Sequence, residues 1–248
     1  MRILLILCLF LQLSITRSYS DDYGIRITND ASQLQIDSLY VNYALWEHGE
    51  SASTSLVSGG YLATIIFDTV SAEPPLIAIK PGGSYCGLGW HTKSGSDYTG
   101  FTVFSGLAMA TFDWQAFVPR KDASAETCGL RVYNASGVLV FDSGHSPMII
   151  SDIDTCSPAY NSTVAVTHPS DSDAYFIMAP HGDWLNIGGW NGYYSHFWRY
   201  FPQLKYDSAT QITFGGVKVV DSILPADITF SDGYWPSTWT IITVKKVF

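Results

Sequence analysis

One stretch of this chain occurs twice, and an internal repeat restricts the possible folds more than any compositional figure. Gly24 to Ser38 reads GIRITNDASQLQIDS, and Gly129 to Ser143 reads GLRVYNASGVLVFDS. The two copies align without a gap at an offset of 129 − 24 = 105. Gly24 matches Gly129, Arg26 matches Arg131, Asn29 matches Asn134, and Leu34 matches Leu139. Asp37-Ser38 matches Asp142-Ser143. Each copy reads as a β-hairpin. In the second, Leu130, Val132 and Tyr133 lead in, and Val138 to Phe141 lead out. Asn134-Ala135-Ser136-Gly137 supplies the turn, because Asn and Gly tolerate positive φ.

The rest of the chain reads as strands. Leu39, Val41, Tyr43 and Leu45 alternate with Tyr40, Asn42 and Ala44, a period near two. Glu47 to Gly60 and Pro81 to Gly100 are rich in glycine or serine and read as loops. Tyr61–Val70 and Leu76–Lys80 are expected to pair around Ser71 to Pro75. Thr163–Thr167 and Ala174–Met178 are expected to pair likewise around His168 to Asp173. In Met109 to Val118, Ala110, Phe112, Trp114 and Ala116 share one face. Glycine interrupts the windows where a helix could start. The expectation is an all-β fold of two related β-sandwich-like units, each opened by the hairpin. They would span residues 21–122 and 123–248, divided in the polar stretch Pro119 to Thr127.

Residues 1–20 stand apart. Arg2 precedes an apolar run, Ile3 to Leu13, about as long as a signal-peptide core and too short to span a bilayer. Two explanations stay open: a secretory signal, or a start codon that belongs near Ser20 or Asp21. Of the four cysteines, Cys8 falls in this run, leaving Cys86, Cys128 and Cys156. None forms a CxxC pair. Three free thiols or one Cys128–Cys156 bridge would satisfy the count.

The charge of −9 repels phosphate backbones and argues against nucleic-acid binding. No GxSxG, P-loop, HExxH or GxGxxG motif is present. The six histidines are scattered. His181-Gly182-Asp183 reads as a turn. Asp152 with Asp154, and Asp171 with Asp173, lack EF-hand spacing and read as solvated acidic turns. No cofactor or metal is expected, and no catalytic residue is assigned. Asn134-Ala135-Ser136 and Asn161-Ser162-Thr163 match the N-glycosylation pattern.

The strongest binding candidate is DWLNIGGWNGYYSHFWRYF, Asp183 to Phe201. Trp184, Trp190, Tyr193, Tyr194 and Trp198 crowd there, with Arg199 beside them. Such aromatics could stack on sugar rings, anchor a protein interface, or fill a core.

The hairpin signature around YGLRVYNASGxLVFDS resembles that of a family of tailed-bacteriophage tail proteins. Asp21 to Leu45, DDYGIRITNDASQLQIDSLYVNYAL, resembles the usual start of such proteins. The resemblance covers the two hairpins. It implies a non-enzymatic structural component of a phage tail, at the tail tip. Its partners would be other tail proteins and copies of itself, with host attachment through a surface glycan or receptor. It also implies that the hairpin residues, Gly24, Arg26, Asn29 and Asp37 with Gly129, Arg131, Asn134 and Asp142, are structural. From the residues alone, a secreted lectin-like β-sandwich module is the alternative.

Overall fold

The computed structural model describes residues 26–28, 32, 34–37, 39–57, 60–159, 162–179, 185–190, 194–225 and 238–248. For residues 34, 35, 37, 57, 185–190, 194–201 and 216–225 the account is confined to the backbone. All regular structure among the described residues is β. The first half contributes β1 (Arg26–Thr28), β2 (Leu34–Asp37), β3 (Tyr43–Ala52), β4 (Ser55–Val57) and β5 (Gly60–Ser71). It continues with β6 (Leu76–Pro81), β7 (Cys86–Ser94), β8 (Asp97–Ser105) and β9 (Thr111–Pro119). The second half contributes β10 (Arg131–Tyr133), β11 (Leu139–Asp142), β12 (Ile150–Cys156), β13 (Thr163–Thr167) and β14 (Tyr175–Ala179). It ends with β15 (Leu185–Trp190), β16 (Tyr194–Ser208), β17 (Gln211–Pro225) and β18 (Trp239–Val244).

Two antiparallel sheets pack together as a sandwich. Their strand orders are β12-β18-β14-β6-β9-β3 and β13-β17-β16-β7-β8-β5-β4. Apart from β4, and from β15 off the path, both orders read the same from either end once the halves are matched. β3 corresponds to β12, β5 to β13, β6 to β14, β7 to β16, β8 to β17, and β9 to β18. The halves meet where like pairs with like: β6 against β14, and β7 against β16, both antiparallel. That is the arrangement of a two-fold axis through the middle of both sheets.

Register supports the match residue by residue. Arg26↔Asp37, Ile27↔Ile36 and Thr28↔Leu34 recur as Arg131↔Asp142, Val132↔Phe141 and Tyr133↔Leu139, with the same irregularity at the same step. The offset of 105 continues past the hairpins. β3 bulges between Leu45 and Glu47, and β12 between Ile150 and Asp152, where 150 − 45 = 105. A bulge is an inserted residue that re-aims the strand, so its repetition marks a copied backbone even where the side chains have diverged.

The core between the sheets draws on both halves. Phe112 and Trp114 of β9 bury against it where Trp239 and Ile241 of β18 do so in the other half. Ala110 and Ala116 are buried with them, as the alternation predicted. The six-stranded sheet buries its other face too, around Ala78, Phe117, Tyr175, Ile177 and Val244. There the starts of its edge strands meet: Met148 N–H donates to the Tyr43 carbonyl at 2.9 Å, and Leu45 N–H to that of Ser146 at 2.7 Å. The side-chain amide of Gln115, fully buried, donates to the Lys245 carbonyl at 3.4 Å and accepts from Val247 N–H at 3.2 Å.

Several expectations are corrected. β5 and β6 lie in different sheets, as do β13 and β14, so neither pair is a hairpin. Each short connection arches across the core. The expected loops at 47–60 and 81–100 contain the end of β3, β4, β7 and the start of β8. The expected boundary near residue 122 falls between β9 and β10, and strands from its two sides are neighbours in both sheets.

Candidate functional site

The repeated hairpin residues hold the backbone. Asp142 is buried, yet its carboxylate accepts four hydrogen bonds. Oδ1 takes the Gly144 N–H at 2.8 Å, and Oδ2 takes Ser124 N–H at 2.9 Å, the Ser124 hydroxyl at 3.1 Å and Arg131 Nε at 2.9 Å. Burial alone would raise its pKa. The Gly144 and Ser124 amides, with Arg131 and the Ser124 hydroxyl, outweigh it and hold the carboxyl well below the usual range. Arg131 Nη2 also donates to the carbonyls of Ser124 and Glu126. Asn134 Oδ1 accepts from the N–H groups of Ser136 and Val138, closing the turn, and Gly137 takes φ +75° there. Gly129 has φ +148°, and a Cβ on it would strike the Ser143 hydroxyl, which accepts the Leu130 N–H at 2.8 Å. Every residue of the signature described in this copy therefore has a local structural task. In the first copy Arg26 and Asp37 are register partners, and Gly24 and Asn29 lie outside the described residues.

The two hairpins also pack on each other. Val132, Val140 and Phe141 form a small core with Ile36 and Val41. Both Asn42 N–H and its side-chain amide donate to the Val140 carbonyl. The cleft beside this contact, lined by Asn42, Arg120, Asp142 and His145 among others, holds about 10 Å³. That admits one water and no organic substrate.

The aromatic stretch is placed differently. It lies on β15 and the first part of β16. Trp190 pairs in register with Ser195, Tyr194 with Pro225, and Trp198 with both Ile187 and Asp221, while Arg199 pairs with Asn186 and Val220. Trp184 and Tyr193, like His181-Gly182-Asp183, lie outside the described residues. β16 and β17 have fifteen residues each, whereas their counterparts β7 and β8 have nine. The junction with β7 is made at Leu204, in the later part of β16. The earlier part, with β15 and the end of β17, forms a three-stranded arm that has no counterpart among the described residues of the first half. The first half completes its share of the sandwich without one, so the arm is not required by the sandwich.

Other candidates resolve into structure. Asp152 and Asp154 sit on strand β12 and not on a turn. Burial raises the Asp154 carboxyl, and the neighbouring Asp152 charge raises it further. Asp154 Oδ2 and Nε2 of buried His168 have no hydrogen-bond partner among the described residues. Asp171 Oδ1 accepts the Asp173 N–H, closing the expected acidic turn, and Asp173 pairs with Lys80 across the halves at 3.0 Å. Among the described residues, no three His, Cys, Asp or Glu side chains are grouped to hold a metal. Cys86, Cys128 and Cys156 are unpaired thiols. Burial pushes Cys86 up to about 12 and Cys156 up to about 11, which suits inert packing groups.

The loop between β8 and β9 is apolar and anchored at its base. Buried Ser53 bonds the Leu107 carbonyl, Met109 N–H and Ala110 carbonyl, presenting exposed Leu107 and Met109, the latter at φ +57°. A loop tip with no periodicity left no signal to find it by. No protein-family model, curated protein or solved structure matches this chain.

Proposed function

We propose that this chain is a non-enzymatic structural protein of a bacteriophage tail, placed at the tail tip. It would join other tail proteins and further copies of itself, and contribute to host attachment. The observation that carries the proposal is the aromatic arm. A duplicated scaffold acquired, in one copy only, an aromatic-rich extension that the sandwich does not need. Aromatics and arginine are the residues that interfaces concentrate at their anchors. The hairpin resemblance supplies the tail assignment.

The test is a pull-down of residues 21–248 against the products of neighbouring genes. Capture of a tail component, lost in Trp198→Ala with Arg199→Ala, is expected. A chain that stays a dispersed monomer and captures no tail component overturns the proposal. A secreted lectin-like module is the second reading, favoured by the apolar run Ile3 to Leu13 together with the same aromatics. A glycan array decides it: binding must appear with the parent chain and fall in Trp190→Ala and Trp198→Ala.

A further inference from the structure

Sheet edges are places where chains pair with other chains, and proteins guard them with bulges, short strands and charged side chains. The sandwich edges here are guarded. β3 and β12 carry matching bulges, and their starts bond each other. β4 has three residues and β13 five. Along β5, the Glu47 carboxylate takes the N–H groups of Asp68 and Thr69.

β15 has none of these guards. Its sequence, LNIGGW, contains no charge and no proline. Its register against β16 runs unbroken from Leu185↔Tyr200 to Trp190↔Ser195. Among the described residues nothing pairs with its other side. A row of backbone donors and acceptors is left there for a partner strand.

We propose that this partner is β15 of a second copy, paired antiparallel, so that one sheet runs through a homodimer. Three observations select this occupant. The chain already joins its own halves by antiparallel pairing of like strands, β6 with β14 and β7 with β16. The arm continues the sheet that passes through the β7–β16 junction. Each copy carries a charge of −9, and an uncharged strand is where two such copies approach at least electrostatic cost. The inference rests on the reading of the arm as a contact surface, and names what one of its edges contacts.

Sedimentation velocity of the full chain tests it, with Ile187→Pro and Gly188→Pro as variants. Successive strand residues direct their N–H groups to opposite sides, so one proline removes an outward donor and the other disturbs the pairing with β16. The parent chain is expected to be a dimer, and both variants to show a twofold lower mass. Exchange protection of the amides of Ile77 to Ile79 and of Phe176 to Met178, in strands that join the halves, should not change. A monomeric parent chain, or a dimer indifferent to both prolines, overturns the inference. So does a monomer in which the outward-facing amides of 185–190, those not paired with β16, are protected from exchange, since another segment of the same chain then covers the edge. A monomer that still captures a tail protein through Trp198 refutes this inference and leaves the proposed function standing.

Discussion

Replacing Asp142 by alanine should unfasten the second hairpin. The side chain is 3% exposed and accepts from two backbone N–H groups, one hydroxyl and one guanidinium. Truncation leaves the Gly144 and Ser124 amides without acceptors, each costing about 1 kcal/mol. The Arg131 side chain is 36% exposed, so water recovers part of its loss, and roughly 1 kcal/mol more is expected from it. The total, about 3 kcal/mol, corresponds to roughly 6–12 °C in Tm for a chain of this size. The pH dependence is a second handle. The folded carboxyl lies below its unfolded value, so its contribution is complete above about pH 4 and fades as pH falls through the folded value. Urea unfolding of the parent chain and Asp142→Ala at pH 7 and at stepwise lower pH measures both. A difference under about 1 kcal/mol at pH 7, or one that does not shrink in acid, would refute the assigned hydrogen bonds.

Three further outcomes follow from the geometry. Gly87→Ala drives a Cβ into the Pro202 carbonyl at the β7–β16 junction, where backbone cannot yield; a loss of roughly 3 kcal/mol or more in urea unfolding is expected, and a neutral variant refutes the close approach. Ser32 occupies, at φ +62°, the turn position that Gly137 fills in the other copy, so Ser32→Gly should raise stability by up to about 1 kcal/mol in the same assay. Burial and the Asp152 charge raise the folded Asp154 carboxyl, so stability falls as pH rises from about 4 through that raised value; Asp154→Asn should be the more stable chain at pH 7, and its advantage should vanish below about pH 4.

The hairpins were legible because their signature residues act locally: an Asn side chain closing a turn, a Gly at positive φ, an Arg and an Asp facing each other across two strands. The β3–β12 equivalence was not. Its side chains diverged, and the retained feature is a backbone bulge, which leaves no fixed residue pattern. β7 was hidden by its glycines, which read as a loop. Gly87 is needed against the Pro202 carbonyl, and Gly89 against Thr102 and Phe104. The false β5–β6 and β13–β14 hairpins arose because adjacent strands with a short connection suit either a hairpin or an arch between sheets; only burial on both sides of the core separates the two. The aromatic stretch was legible as a cluster. Its place on an arm emerged from comparing the two halves, with fifteen-residue strands in one against nine in the other.

Native-state hydrogen exchange at the strands that join the halves tests the fused two-fold sandwich most directly. The amides of Ile77 to Ile79 and of Phe176 to Met178 should exchange with one common free energy, equal to that of global unfolding. Two separate free energies, with either strand opening while the other half stays closed, would contradict a single sandwich built from a copied unit.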